Sequence, residues 1–187
     1  MGRDPFPTNT PEEHSNAFHH HLQAAGQKVK EHNLLVRTGD REVGAPYLPI
    51  DIYLDHLRSA HNVGSIFRTT EALRLGKIYL SEQTPTPDQK QVHDTGLGAC
   101  EWVEWTQGPP QRRPIIALET VERAVSLSDF EFPESFTLVV GNEEYGCSQE
   151  MLAAADHVIE IPLFGKKNSL NVANAFAIVA AEIREKS

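Results

Sequence analysis

No run of about 18 uncharged apolar residues occurs in this 187-residue chain, so no membrane-spanning helix is expected. The opening residues Met1-Gly2-Arg3-Asp4-Pro5-Phe6-Pro7 lack the apolar core of a secretory signal. Cysteine is scarce: Cys100 and Cys147 stand in unrelated contexts and make neither a disulfide framework nor a metal knuckle, so no metal is expected. Basic residues are in deficit, 17 Lys+Arg against 26 Asp+Glu for a net charge of −9. That balance argues against a general nucleic-acid coat, because phosphate neutralisation supplies most non-specific affinity. It leaves room for a local basic site on an acidic body. With 40% hydrophobic and 23% charged residues the chain excludes wholesale disorder and collagen-like repetition. A soluble, cytoplasmic protein with one sizeable core is the expectation.

Residues 1–48 differ from the rest, being rich in Pro, Asn, Thr, His and charge. They are expected to form an N-terminal extension, partly helical or mobile. Ala17, Phe18, Leu22, Ala25 and Val29 mark a weak helical stripe over about 12–33. His19-His20-His21 reads as part of a solvated helix or tail rather than a metal tract, because no carboxylate or cysteine sits at ligand spacing beside it. From 49 to 187 the chain alternates strands and helices. Strands are predicted at 50–54, 77–80, 102–105, 115–118, 136–140 and 157–161. Helices are predicted over 63–73 (terminated by Gly76), between 121 and 127, over 148–155 and from Leu170 to about Glu185. Apolar strands between helices indicate an α/β fold, a mostly parallel sheet with helices on both faces. The last helix is apolar nearly all round, which one sheet face cannot bury; a homodimer through this helix is the economical expectation.

Three clusters carry chemistry. The first is NVGSIFRT over 62–69, a polar turn feeding a helix after a strand, where sites of open parallel sheets lie. Arg68 there suits a phosphate or carboxylate facing the helix start, or else it is a surface arginine paired with Glu71 or Glu101. The second is Gly141 to Ser148, straight after an apolar strand, where Gly141 permits close backbone approach, Gly146 supplies a positive φ, and Ser148 caps a helix. It is neither GxGxxG nor a Walker loop, and Cys147 reads as a small turn residue rather than a nucleophile. The third runs from Ile161 to Val172, a glycine-containing loop with Lys166 and Lys167, Ser169 as a candidate helix cap, and Asn171 as an amide needing partners.

In this order, NVGSIFRT, LVVGNEEYGCS (138–148) and IPLFGKKNSLNVANAFAI (161–178) resemble the three motifs of the SPOUT methyltransferases, specifically the TrmH-like ribose 2′-O-methyltransferases of tRNA and rRNA. The resemblance covers about residues 50–187 and implies a C-terminal deep trefoil knot, a homodimer and bound S-adenosylmethionine. By the same resemblance Arg68, Asn62, Glu143, Ser169 and Asn171 form the catalytic set. Val140, Gly141, Asn142, Ile161, Leu163, Gly165, Ser169 and Leu170 would hold the cofactor. Arginine is a poor base, so Arg68 is read as orienting an RNA phosphate and stabilising alkoxide charge. Two other readings remain open: a non-catalytic RNA-binding or assembly factor on the same fold, and a base-nitrogen methyltransferase.

The sequence departs from that family in places. Residues 1–48 lack the basic richness of an RNA-binding extension, and the segment 84–105 carries Asp94 where a related subgroup has lysine. RNA contact would then rest on Arg58, Arg68, Lys90, Arg112, Arg113, Lys166 and Lys167, with affinity falling steeply as salt rises.

Overall fold

The computed structural model describes residues 46–187, so the helix predicted over 12–33 and the tract His19-His20-His21 lie outside the described residues. Seven strands form one sheet: β1 (Ile50–Leu54), β2 (Ile78–Leu80), β3 (Trp105–Gln107), β4 (Ile115–Leu118), β5 (Val125–Ser126), β6 (Phe136–Val140) and β7 (His157–Glu160). Their order is β3-β2-β1-β6-β4-β7-β5, and every pairing is parallel. The helices are α1 (Ala60–Ala72), α2 (Lys90–Gly96), α3 (Gln149–Ala154) and α4 (Val172–Glu185).

The period of two along each strand divides the core. Ile50, Ile52 and Leu54 of β1 and Phe136, Leu138 and Val140 of β6 share one face with Val63, Ile66 and Phe67 of α1 and with Phe176, Val179 and Ile183 of α4. Tyr53, Ala117, Val139 and Val158 point the other way and pack with Met151 of α3. Helices therefore cover both faces, as apolar parallel strands require. Register is the feature that matters for chemistry: Leu54 pairs with Val140, Val140 with Leu118, and Leu118 with Ile159. The loops after β1, β4, β6 and β7 thus leave the sheet side by side at one edge.

Helices α1 and α2 pack closely because Gly64 has no side chain. A Cβ there would sit 2.6 Å from Val92 O and 2.7 Å from Thr95 Cβ. Gly64→Ala must push the two helices apart, at a cost of about 1–3 kcal/mol for overpacking. For a chain of this size that lowers the melting temperature by roughly 2–12 °C. Calorimetry checks this, and an unchanged transition would contradict the contact.

Four expectations need correction. The residues expected as a strand at Trp102 are not one; a 3₁₀ turn over Ala99–Glu101 ties Trp102 N–H to Ala99 O, and the strand begins only at Trp105. The cause lies just upstream, where Leu97 and Gly98 both adopt positive φ and reverse the chain. Between 121 and 127 there is no helix. Val125 pairs with Ile159 in β5, and a single turn at Val121–Ala124 is too short to compete with that sheet edge. Gly76 does not terminate α1: Arg74 takes the left-handed turn (φ 50°), while Gly76 lets the chain lie against Ile50, to whose carbonyl its N–H donates at 2.8 Å. Finally, α4 starts at Val172 with Asn171, not Ser169, as its cap. Among the described residues α4 is covered on one side only, and Ile178 remains 44% exposed.

Candidate functional site

At the shared strand edge the loop after β6 is folded on itself. Asn142 and Gly146 exchange two backbone hydrogen bonds, at 2.8 and 2.9 Å, around Gly146 at φ +72°. The Asn142 side-chain oxygen accepts the N–H groups of Glu144 and Tyr145 at 2.9 and 3.1 Å. A Cβ on Gly141 would run into the backbone of Gly146 and Cys147, so the loop itself, not only a ligand, requires glycine there. Two carboxylates from neighbouring strand ends hold the loop's far side. Glu119, just after β4, accepts Cys147 N–H at 2.8 Å, and Asp55, just after β1 and 1% exposed, accepts Ser148 N–H at 2.7 Å. Sequence reasoning missed both. The available signal was an acidic residue immediately following an apolar strand. Ser148 caps α3 as expected, accepting from Met151 N–H at 3.2 Å.

Glu143 leaves this loop to meet the start of α1. Its two oxygens accept the backbone N–H groups of Arg58 (2.9 Å) and Ser59 (3.0 Å) and the side-chain amide of Asn62 (2.9 Å). The anion facing this helix start is therefore the chain's own carboxylate, in the place where the dipole favours one. Burial alone would raise the Glu143 carboxyl. The bonds from Arg58, Asn62, its own backbone and Ser59 outweigh it and hold the group below the ordinary carboxylate range. Asn62 then accepts from Asn171 Nδ2 at 3.1 Å, while the Asn171 oxygen accepts Ala173 and Asn174 N–H as the cap of α4. One chain of hydrogen bonds, Glu143–Asn62–Asn171, joins all three sequence clusters.

Two adjoining cavities flank this chain. One, of about 480 Å³, is bounded by the loops after β4, β6 and β7. Its lining includes Val140, Gly141, Asn142, Ile161, Leu163, Ser169 and Leu170, seven of the eight residues expected around a cofactor. Gly165 is not among them and faces open space. The other, of about 640 Å³, is lined by Arg58, Ser59, Asn62, Glu143, Leu170 and Asn171. Ser169 borders the first cavity, but no hydrogen bond of its side chain joins it to the central chain of bonds. Cys147 is buried, and desolvation, then the charges of Glu119 and Asp55, push its thiol far up, which disfavours the thiolate that a nucleophile needs.

The basic residues separate into two groups. Arg58 pairs with Glu144 at 3.0 Å, Lys90 with Asp94, Arg112 with Asp51 at 3.1 Å and Arg113 with Asp156 at 2.9 Å. Arg112 and Arg113 precede β4 and so lie at the opposite end of the sheet from the cavities. Arg68, Lys166 and Lys167 are exposed and make no ion pair among the described residues, which answers the pairing of Arg68 with Glu71 or Glu101. Arg68 lies six residues beyond Asn62, about 9 Å further along α1, and lines neither cavity.

Comparison with known proteins agrees with this geometry. Residues 49–181 match the SpoU rRNA Methylase family. A tRNA (guanosine(18)-2′-O)-methyltransferase of Aquifex aeolicus is 29% identical over 143 residues, 70% of this chain and 66% of that protein. A TrmH-family structure from Porphyromonas gingivalis superposes with a TM-score of 0.69 at 27% identity, covering 77% of this chain and 62% of that one. An AdoMet-bound rRNA methyltransferase from Sinorhizobium meliloti shares the fold, with a TM-score of 0.69 at 22% identity over 75% of this chain and 60% of that one. The chain thus spans about two thirds or less of the length of these relatives.

Proposed function

Because the chain belongs to the SpoU rRNA Methylase family, we propose that it transfers a methyl group from S-adenosylmethionine to a ribose 2′-hydroxyl of tRNA or rRNA. The observation that carries this reading is the Glu143–Asn62–Asn171 chain of hydrogen bonds beside two adjoining cavities. The first cavity suits the cofactor. Leu118, Ile161, Leu163 and Leu170 offer apolar surface to an adenine, and the carboxylates of Glu119 and Glu160 favour a cation. S-adenosylmethionine bound there supplies an electrophilic sulfonium methyl. Val140, Gly141, Asn142, Ile161, Leu163, Ser169 and Leu170 are the residues that would hold it.

The chain's own groups divide the remaining work. Glu143, kept ionised with both oxygens occupied, is a positioning residue that fixes Asn62 and the start of α1. Asn62 and Asn171 present amides to the substrate cavity and orient the ribose. Arg68 borders neither cavity of its own chain. By the resemblance of its motif it is read as clamping an RNA phosphate and stabilising negative charge on the attacking oxygen, once bound RNA or a second copy of the chain brings that oxygen to it. Its guanidinium does not give up a proton at working pH. Lys166 and Lys167 add cationic reach in the loop after β7. The reading also takes the loop after β7 to thread into a trefoil knot before α4.

A homodimer through α4 is proposed from the face that the described residues leave open. Ile178 on this largely apolar helix is 44% exposed, and Leu170, just before its start, is 43% exposed. Ile178→Asp is expected to convert a dimer into a monomer in sedimentation velocity runs at micromolar concentration; a wild-type monomer would remove this part of the reading.

Incubation with S-adenosylmethionine and unmodified RNA, followed by digestion and nucleoside mass spectrometry, tests the activity. A 2′-O-methylated nucleoside is expected. A base-methylated product would favour the base-nitrogen reading. Cofactor and RNA binding without any product would favour the non-catalytic one.

A further inference from the structure

A third cavity, of about 500 Å³, lies across the 141–148 loop, and the proposed chemistry does not use it. His56, Arg58, Gln83, Asn142, Tyr145 and Ser148 line it, and it shares Arg58 and Asn142 with the substrate cavity. His56 stands there in the left-handed region at φ 58°, a conformation that costs a residue with a side chain and that clusters at functional sites. Three contacts impose it. The His56 N–H donates to Ser81 Oγ at 2.8 Å, its carbonyl accepts from Asn142 Nδ2 at 2.6 Å, and its Nδ1 lies 2.8 Å from Asp55 Oδ1.

Asp55 fixes the ring's polarity. It is 1% exposed, and its second oxygen already accepts Ser148 N–H, so the imidazole donates Nδ1–H to it. In the neutral ring Nε2 is then the acceptor, and the ring is 45% exposed. Across the cavity Tyr145 is 78% exposed although its backbone is pinned by Asn142. An exposed aromatic on a fixed loop, an acceptor nitrogen of set tautomer and the Gln83 amide form a set that recognises a flat ring bearing N–H groups. The charges point the same way. Arg58 is already paired with Glu144, and Asp55 lies behind the imidazole, so among the described residues the cavity offers no spare lysine or arginine for a phosphate.

We propose that this cavity receives one unstacked nucleobase of the substrate RNA, stacked on Tyr145 and donating an N–H to His56 Nε2. The proposal rests on the RNA methyltransferase reading for its substrate, and its test is separable from that reading. Protein saturated with S-adenosylmethionine is titrated with AMP, GMP, CMP, UMP and ribose 5-phosphate while the His56 imidazole signal is followed by NMR. The signal is assigned by its loss in His56→Asn. At least one nucleotide is expected to shift it, ribose 5-phosphate is not, and Tyr145→Ala is expected to weaken the nucleotide about fivefold or more. No shift with any nucleotide, or an equal shift with ribose 5-phosphate, would overturn the base pocket.

The second arm uses RNA turnover. Asparagine tolerates positive φ, so His56→Asn keeps the turn while removing Nε2. The variant should raise KM for RNA about tenfold with kcat within about twofold. An unchanged KM would overturn the proposal. Nucleotide-induced shifts in a protein that methylates no RNA would leave the pocket standing and sink the methyl-transfer reading instead.

Discussion

Replacing Arg68 with alanine is expected to lower methyl transfer to RNA by at least ~10²-fold, the cost of losing a donor aimed at developing negative charge. Cofactor affinity should stay within about threefold, because Arg68 borders neither cavity. The same substitution should leave the melting temperature almost unmoved, since the side chain is exposed and unpaired among the described residues. Single-turnover transfer, S-adenosylmethionine calorimetry and thermal unfolding together separate these effects. Retained turnover would remove Arg68 from the mechanism. A comparable loss of cofactor binding would reassign it to the cofactor site.

Glu143→Gln should lower transfer by a similar ~10²-fold for a different reason. The carboxylate accepts three donors, two of them backbone N–H groups at the start of α1. An amide of the same shape has one acceptor oxygen and sets its own N–H₂ against a donor, leaving a partly buried group unsatisfied at about 1–3 kcal/mol. Both activity and stability therefore fall, unlike with Arg68→Ala. The pH dependence gives an independent reading. A carboxyl held below its ordinary value contributes fully above that value, about 4.3 for glutamate, and is lost only as pH falls through the lowered one. The wild type should thus keep its organised loop throughout mildly acidic pH and lose it only as pH falls below about 4.3. Glu143→Gln should show no such acid limb in a fluorescence or NMR titration. An acid limb of equal size in the variant would mean that another carboxyl controls it.

Much of this was legible in the sequence because chemistry and folding made the same demands on the same residues. The apolar strands at 50–54, 115–118 and 136–140 allowed no other partner than a buried parallel sheet. Gly146 and Ser148 announced a turn and a cap by residue type alone. Asn171 in the sequence is an amide in need of partners, and the structure supplies them on both sides, as a helix cap and as a donor to Asn62. What stayed hidden was long-range pairing. Nothing in the sequence says that Glu119 reaches Cys147 or that Asp55 reaches Ser148, because those bonds depend on which strands become neighbours. The short elements failed for a related reason: at Trp102 and at 121–127 local periodicity was too brief to outweigh a left-handed turn and a sheet edge.

Two buried or half-buried carboxylates grip the 141–148 loop from the strands on either side of β6, and Asn142 braces it from within. The conformational entropy of that loop is therefore spent during folding, before any ligand arrives. Evolution of a new preference in such a molecule has little to gain from loosening this template, whose distortion would disturb three cavities at once. Changes confined to outward-facing positions such as Gln83, Tyr145, Lys166 and Lys167 can alter which ligand is favoured while the frame stays fixed, so specificity and scaffold can drift independently.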